Sequence, residues 1–134
     1  MTELDENVTR EMNKYLNDTT IEDIMMKHSK MFHFRVNLSR SQMEQDIEVL
    51  DLTPRAYNCL RRAGINKVGD LINKYSTKDT MSSKQQLRRN RNLGEKTAID
   101  ILLKLFYYQF SITPEEEKAD YMRSVMESNE PVGI

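Results

Sequence analysis

Residues 50–64 read LDLTPRAYNCLRRAG, and they carry the clearest helix boundaries in the chain. Thr53 is a good N-cap, and Pro54 occupies the first helical position, where its missing N–H costs nothing. Gly64 is suited to close the helix, because glycine readily adopts the left-handed conformation that ends many helices. The residues predicted to form the buried stripe of this helix are Leu52, Ala56, Cys59, Leu60 and Ala63.

Two further helices are predicted on the C-terminal side of this stretch. The longer one, second in the sequence, runs from Glu95 to about Phe110. It is apolar on more than one side, so other helices must cover both sides. The N- and C-terminal helices would cover the second side, and a homodimer would bury it equally well. The shorter helix, first in the sequence, is predicted to be capped by Asn66. Its apolar residues at helical spacing are Val68, Leu71, Ile72 and Tyr75.

Helices are also predicted near both ends of the sequence. Thr20 is the expected cap of a short helix that follows the first one. Thr113 and Pro114 form a strong helix start as N-cap and first residue. The apolar positions of the N-terminal helix are Leu4, Val8, Met12 and Tyr15 or Leu16. Those of the C-terminal helix are Ala119, Met122, Val125 and Met126.

One stretch has the alternation of a β-strand. Residues 32–38 alternate apolar and polar side chains, the pattern of a half-buried strand. A lone strand leaves its edges unpaired, so an extended connection is the alternative. Residues 76–91 are polar and basic, with a short helix predicted from Ser82 or Ser83 to near Leu87. The predicted fold class is therefore mainly α: a compact helical bundle with flanking helices and one short strand.

The composition of the 134-residue protein excludes several classes of protein. With 38% hydrophobic and 31% charged residues, it is too apolar for a disordered tail and too charged for a membrane protein. The single cysteine excludes an internal disulfide framework and a Cys-only metal site, and a reducing cytoplasm is the expected compartment. The sequence contains no recognisable catalytic constellation, so we expect neither an enzyme nor a cofactor or metal ion.

The net charge of −1 conceals three regions of opposite sign. Residues 1–50 carry a net charge of −4, residues 51–112 carry +7, and residues 113–134 carry −4. A basic centre between acidic flanks indicates a surface for a polyanion, with flanks that pack against it or limit non-specific binding.

Candidate DNA contacts lie on two predicted helices and on one loop. Arg55, Asn58 and Arg62 share the helix face opposite the buried stripe. An arginine inserted into a narrow A/T-rich minor groove reads its negative potential. At the second helix start, the free N–H groups of Gly94 and its successors favour a phosphate. Further positive charge or hydrogen-bond donors come from Lys96, Thr97, Arg88, Arg89 and Arg91.

Three motifs follow one another along the sequence: IEVLDLTPRAYNCLR at residues 47–61, GINKVGDLI at 64–72 and NLGEKT at 92–97. Together they resemble the C-terminal domain of the bacterial RNA polymerase α subunit over about residues 46–106. The resemblance implies a compact bundle related to helix–hairpin–helix modules, which inserts into the minor groove of A/T-rich DNA and contacts σ factors. It also implies a bacterial, phage or mobile-element origin.

The resemblance assigns roles to individual residues. Arg55 would be the groove-inserting arginine, with Asn58 and Cys59 beside it. Asp100 stands where the family has an acidic residue near the DNA, and Asp51 where it has an acidic residue that faces σ. These two are the expected protein-contact residues. The residues that would hold the DNA backbone are Asn92, Gly94, Lys96 and Thr97.

The sequence departs from the family in three respects. The segment between Asp70 and Asn92 is longer than the family pattern, and Glu95 stands where a basic residue is expected. No α-subunit N-terminal domain is recognisable, so a stand-alone protein is expected. Its predicted divisions are an N-terminal helical arm at 1–45, a DNA-binding domain at 46–110, and a C-terminal helix with a loose tail at 111–134.

Two functions of different classes remain open at this point. The first is a transcription-related protein that docks on A/T-rich double-stranded DNA through Arg55 and residues 92–97 and contacts RNA polymerase or a σ factor. The second is a protein-interaction module that binds polymerase, σ or its own copy without DNA, including a homodimer through the 95–110 helix and flanking helices. A helix–hairpin–helix accessory of a repair or recombination enzyme is a third, and it would show no A/T preference. No membrane contact is expected.

Overall fold

Helices dominate the structure, as the sequence predicts. The structure is a computed structural model that describes residues 3–16, 20, 21, 23, 24, 33–77, 80–82 and 94–129. Its helices are α1 (Glu3–Met12), α2 (Arg40–Met43), α3 (Pro54–Arg62), α4 (Val68–Tyr75), α5 (Glu95–Ile112) and α6 (Glu115–Ser128), with a 3₁₀ helix at Ile47–Leu50. The mainly-α class is confirmed.

Helix α3 begins and ends as its sequence predicts. The Thr53 hydroxyl oxygen accepts a hydrogen bond from the Ala56 N–H at 3.2 Å, which satisfies a helix-start donor. Gly64 has a φ of 83°, in the left-handed region that glycine adopts without strain. Below the helix surface, Cys59 and Leu60 are buried together with Ala56. Helix α3 is therefore anchored on one face, which leaves the opposite face exposed.

The start of α4 corrects one prediction. The helix begins at Val68, and Asn66 does not cap it: the Asn66 side-chain oxygen accepts a hydrogen bond from Arg61 at 3.0 Å. The Asp70 carboxylate instead accepts the backbone N–H groups of Asn66 and Lys67, at 3.2 and 3.1 Å. The side chain that satisfies free N–H groups at this helix start is therefore Asp70, in the first turn, and not Asn66.

Three short strands form an antiparallel sheet. They are β1 (His33–Arg35), β2 (Ser76–Thr77) and β3 (Thr80–Ser82), in the order β1-β3-β2. The strand predicted within 32–38 is confirmed, and the partner that the sequence did not reveal is β3. The helix predicted to start at Ser82 is wrong at that residue, which pairs with His33; its alternative start at Ser83 and its course to Leu87 lie outside the described residues.

The start of α6 differs from its prediction in two ways. Thr113 does not cap it, because the Thr113 hydroxyl donates back to the carbonyl oxygen of Gln109 in α5 at 2.7 Å. Pro114 precedes the helix, which begins at Glu115. Ala119 is exposed rather than part of the apolar stripe, and Lys118 is buried in its place. The predicted core positions Met122 and Val125 are confirmed.

Helix α5 lies at the centre of one hydrophobic core. It contacts α1, α3 and the 3₁₀ helix, and its Ile101, Leu105 and Phe106 side chains are fully buried. The Phe106 ring packs edge-on against Phe34 of β1, with 5.1 Å between ring centroids. Both apolar sides of α5 are therefore covered within one protein molecule, as the prediction of flanking helices requires.

An ion pair joins the first helix to the last. The Lys118 ammonium of α6 lies 2.7 Å from a Glu11 carboxylate oxygen of α1 and 3.2 Å from Glu115. It also sits 5.0 Å from the centroid of the Phe110 ring. Burial alone would lower the pKa of Lys118, but the two carboxylates outweigh it and raise that pKa. The flanking helices thus pack on α5 with a charged contact between them.

Candidate nucleic-acid interface

The outer face of α3 presents cationic and amide groups to solvent. Arg55, Asn58 and Arg62 are exposed, at the spacing that places them opposite the buried stripe. Within the part of the protein that the structure describes, none of the three is held by a hydrogen bond or an ion pair. These side chains therefore meet a ligand without first breaking an internal contact.

Arg61, on the same helix, has a different role. Its guanidinium donates to the Asp46 carboxylate at 2.8 Å, to the Asn66 side-chain oxygen, and to the Tyr57 hydroxyl. The hydrogen bond with Tyr57 raises the pKa of Arg61 most, and the charge of Asp46 adds to it. Arg61 thereby ties α3 to the segments before and after it and positions the exposed face.

The sequence did not reveal this tie. Asp46 lies fifteen residues before Arg61, so no helical or strand periodicity relates them. The backbone bridge between Asp46 and Lys67 brings the two segments together, and only the fold shows it.

The start of α5 is open, as a phosphate site requires. Gly94 is its N-cap, with φ −78° and ψ 170°, and the first turn has no side-chain cap. A Cβ atom built on Gly94 would meet no atom within 4 Å. The backbone conformation and the surroundings thus tolerate any residue here, whereas the absence of a side chain leaves the helix N–H groups accessible.

The remaining predicted contact residues at the start of α5 differ in how far they are exposed. Lys96 is exposed, Thr97 and Asp100 are half-buried, and Ala98 between them is fully buried. Because α5 packs against α3, the two helices that carry the predicted contacts are direct neighbours. The structure thus brings together the two helices that carry these residues.

Two predicted residues have distinctive backbone or core positions. Asp51 ends the 3₁₀ helix with a φ of 60°, and its N–H donates to the Glu48 carbonyl oxygen at 3.1 Å. It is half-buried, in a conformation that aspartate adopts more readily than most residues. Cys59 is 8% exposed and belongs to the core, which agrees with its place in the predicted buried stripe of α3.

Four predicted contact residues lie outside the described residues. They are Arg88, Arg89, Arg91 and Asn92. Among the residues whose surroundings are described, no group of three or more metal-ligating side chains occurs. No helix in that same part of the protein is long and apolar enough to cross a membrane.

These features define a class of protein: a small helical domain with an exposed cationic face on α3 and an uncapped start on the neighbouring helix α5. The family model for the C-terminal domain of the bacterial RNA polymerase alpha subunit matches residues 35–106. The protein belongs to this family, which confirms the resemblance drawn from the three sequence motifs.

Curated relatives agree with the family assignment. The protein is 43% identical over 74 residues to an RNA polymerase subunit alpha of Carboxydothermus hydrogenoformans, covering 55% of its own length and 21% of the relative. It is 46% identical over 63 residues to that of Oceanobacillus iheyensis, covering 47% and 18%. With that of Alkaliphilus oremlandii it shares 34% identity over 107 residues, covering 79% and 31%.

The matched region is a small part of those relatives. The protein spans between about a fifth and a third of the length of the subunits named above. No solved structure matches it. The match to the Alkaliphilus protein extends over more of the sequence than the family model does.

Proposed function

We propose that this protein is a transcription-related DNA-binding protein that docks on A/T-rich minor groove and adjacent phosphates. The observation that carries the proposal is the outer face of α3, where Arg55, Asn58 and Arg62 are exposed and unengaged in the described structure. Their freedom contrasts with Arg61, whose guanidinium is committed to structural contacts.

Arg55 is the proposed groove-reading residue. It stands in the first turn of α3, directly after the capping residue Thr53 and Pro54. A narrow A/T-rich minor groove concentrates negative potential, which favours a guanidinium over the same group in a wide groove. Asn58 and Arg62 extend the contact along the helix, and Cys59 supports it from the core.

The start of α5 is the proposed phosphate contact. Its uncapped N–H groups and the positive end of the helix dipole favour an anion, and Lys96 adds a charge. Thr97 supplies a hydroxyl donor close by. Further phosphate contacts are proposed for Asn92, Arg88, Arg89 and Arg91.

Protein contacts are proposed for the acidic residues. Asp51 and Asp100 are assigned to RNA polymerase or a σ factor, by the family resemblance of their positions. In this arrangement residues 46–110 are the DNA-binding domain, 1–45 an arm and 111–134 a C-terminal helix with a tail. The activity is non-catalytic, and the compartment is the bacterial cytoplasm.

The alternative is an interaction module that keeps the fold without binding DNA. The observation in its favour is the half-buried Asp51 at the end of the 3₁₀ helix, fixed in an uncommon backbone conformation. Its homodimer version through α5 has less support, because that helix is already covered on both apolar sides within one protein molecule.

Fluorescence anisotropy tests the proposal directly. An A-tract duplex and a matched G/C duplex are titrated with wild type and with Arg55→Ala, each at two salt concentrations. We expect tighter binding to the A-tract, weaker binding in salt, and a loss of about tenfold to a hundredfold in the variant. Arg123→Ala is the matched control, since it removes the same charge from an exposed arginine of α6.

The other outcomes separate the alternatives. Equal affinity for both duplexes, unaffected by Arg55→Ala, would replace groove reading with a generic backbone clamp. Absence of binding to either duplex would refute the DNA-binding proposal, and a pull-down with RNA polymerase and σ would then test the interaction module. Equal losses in Arg55→Ala and Arg123→Ala would show that only net charge matters.

A further inference from the structure

Arg61 differs from the other exposed arginines of α3 in the number of contacts that it makes. Its Nε donates to the Tyr57 hydroxyl at 2.9 Å, its Nη1 to the Asn66 side-chain oxygen at 3.0 Å, and its Nη2 to the Asp46 carboxylate at 2.8 Å. The guanidinium carbon also lies 4.9 Å from the centroid of the Tyr57 ring. A guanidinium donates from three nitrogens, and here every one of them already has an acceptor. In this arrangement Arg61 has little capacity left for a phosphate.

The place of Arg61 on the helix would suit a DNA contact. It follows Asn58 by three residues, so the two side chains are neighbours on the surface of α3. Arg61 thus borders the exposed face that is proposed to bind DNA. Its side chain is 37% exposed, which means that solvent, and a phosphate, can reach it. Release from its acceptors and a new rotamer would be enough to turn the guanidinium toward DNA.

Asp46 supplies the charged acceptor of this network. Its Oδ2 accepts from Arg61, and its Oδ1 accepts the Glu48 N–H at 2.8 Å as the cap of the 3₁₀ helix. The cap orients the carboxylate, which therefore meets the guanidinium in a fixed position. Hydrogen bonds to a charged acceptor are stronger than those to a neutral one, so loss of this charge weakens the hold on Arg61.

The placement of α3 itself does not depend on this one bond. Ala56, Cys59 and Leu60 bury the inner face of the helix in the core. The backbone bridge between Asp46 and Lys67 also persists whatever the side chain at position 46. Weakening the hold on Arg61 should therefore free its side chain and leave the outer face of α3 in place.

We propose that Asp46, together with Tyr57, withholds Arg61 from DNA and so limits the sequence-independent affinity of α3. This inference rests on the proposed DNA binding at that face. Phosphate contacts raise affinity for every sequence and carry no base information. As long as Arg61 is kept in internal contacts, the phosphate footprint of the protein is smaller by one cation. Asp46 thus determines DNA affinity without being a DNA contact.

Asp46→Asn tests the proposal, because asparagine caps a helix as well as aspartate does and the fold is kept. In anisotropy titrations the A-tract and G/C duplexes should both bind about threefold more tightly, with an unchanged ratio between them. The slope of log affinity against log salt should steepen by about one, the effect of one added phosphate contact. Asp120→Asn is the matched control, since it removes the same charge and breaks the exposed pair with Arg123 of α6. It should change binding little.

A second comparison separates the release of Arg61 from the loss of a repulsive charge. In an Arg61→Gln background, Asp46→Asn should have no more effect than Asp120→Asn, because no guanidinium remains to be released. Tyr57→Phe removes an acceptor and keeps both the ring and the net charge, so it should also tighten binding to both duplexes. Side-chain NMR relaxation of the free protein should find Arg61 more mobile in Asp46→Asn and in Tyr57→Phe than in wild type.

The remaining outcomes contradict the proposal in different ways. Weaker A-tract binding by Asp46→Asn would show that the network serves mainly to position Arg55. A gain in affinity that persists in the Arg61→Gln background would assign the effect to direct repulsion between Asp46 and DNA. Unchanged binding by Asp46→Asn, with wild type bound to the A-tract, would overturn this inference and leave the DNA-binding proposal standing. A wild type that binds neither duplex would refute both.

Discussion

At the scale of single residues, the fold does not require a glycine at position 94. No atom lies within 4 Å of a Cβ placed there, and the backbone is in an ordinary extended conformation. Gly64 is the opposite case, since its φ of 83° demands glycine for the turn itself. The backbone thus requires glycine at position 64 but not at position 94.

Gly94→Asp should improve the fold and impair binding. An aspartate cap would accept a helix N–H and face the positive end of the dipole, which stabilises by roughly a few tenths of a kcal/mol. The same carboxylate would repel a phosphate, so DNA affinity should fall by about fivefold or more. Urea unfolding and anisotropy measure the two effects. Gly94→Ser is the uncharged control, and unchanged affinity in Gly94→Asp would contradict a phosphate contact here.

At the scale of elements, the sequence predicted those helices whose ends are marked by capping and turn residues. Thr53, Pro54 and Gly64 mark the two ends of α3 by their local chemistry, and the apolar sides of α5 required covering helices. Of the candidate site, the exposed face of α3 followed from periodicity alone.

Features that depend on contacts between residues far apart in the sequence could not be predicted from it. Strands β2 and β3 have two and three residues, too few for an alternation to be visible. Lys118 is buried because Glu11 and Phe110 lie against it, and neither is near enough in sequence to indicate this. Thr113 resembled a cap, but its hydroxyl turned back to Gln109 of the preceding helix.

Helix α6 should make the protein sensitive to alkaline pH. Burial is the main cause that raises the pKa of Tyr121, and the charge of Arg35 offsets it only partly. A group whose pKa is raised in the folded state stabilises below its unfolded pKa and loses that effect as the pH rises. Wild type should therefore lose stability above about pH 10.

The variant Tyr121→Phe isolates this contribution. It should start about 1 kcal/mol less stable at pH 8, because the hydrogen bond to Arg35 is lost. Its free energy of unfolding should then fall less steeply than that of wild type between pH 8 and 11. Urea titrations at both pH values measure the difference, and parallel decline in the two proteins would exclude Tyr121 as a cause.

At the scale of the whole molecule, the core is continuous from the first helix to the last. Val8 and Met12 of α1 belong to the same buried set as Phe106 of α5 and Val125 of α6. The proposed DNA-binding domain at 46–110 therefore shares its core with both flanks. Stability of the α3 surface should depend on residues far from it in sequence.

Met12→Ala tests this dependence. Met12 is 2% exposed, and truncation of a buried methionine should destabilise the protein by about 2–5 kcal/mol. Far-UV circular dichroism and tyrosine fluorescence should report one coincident unfolding transition in urea. Arg10→Ala, on the same helix but exposed, should change little. Two separate transitions would instead show that residues 46–110 fold independently of α1.

Because Cys59 is buried, its reactivity measures how often the helix that carries Arg55 opens. A thiol-specific reagent reaches a buried sulfur only when the surrounding structure opens, so the labelling rate measures how often α3 leaves the core. The protein has one cysteine, so a thiol-specific reagent labels this site alone. Because Arg55 and Cys59 share one helix, DNA bound to the outer face of α3 would slow the labelling of Cys59 on its inner face. The labelling rate, measured with a coloured thiol reagent, would therefore report on occupation of the proposed interface.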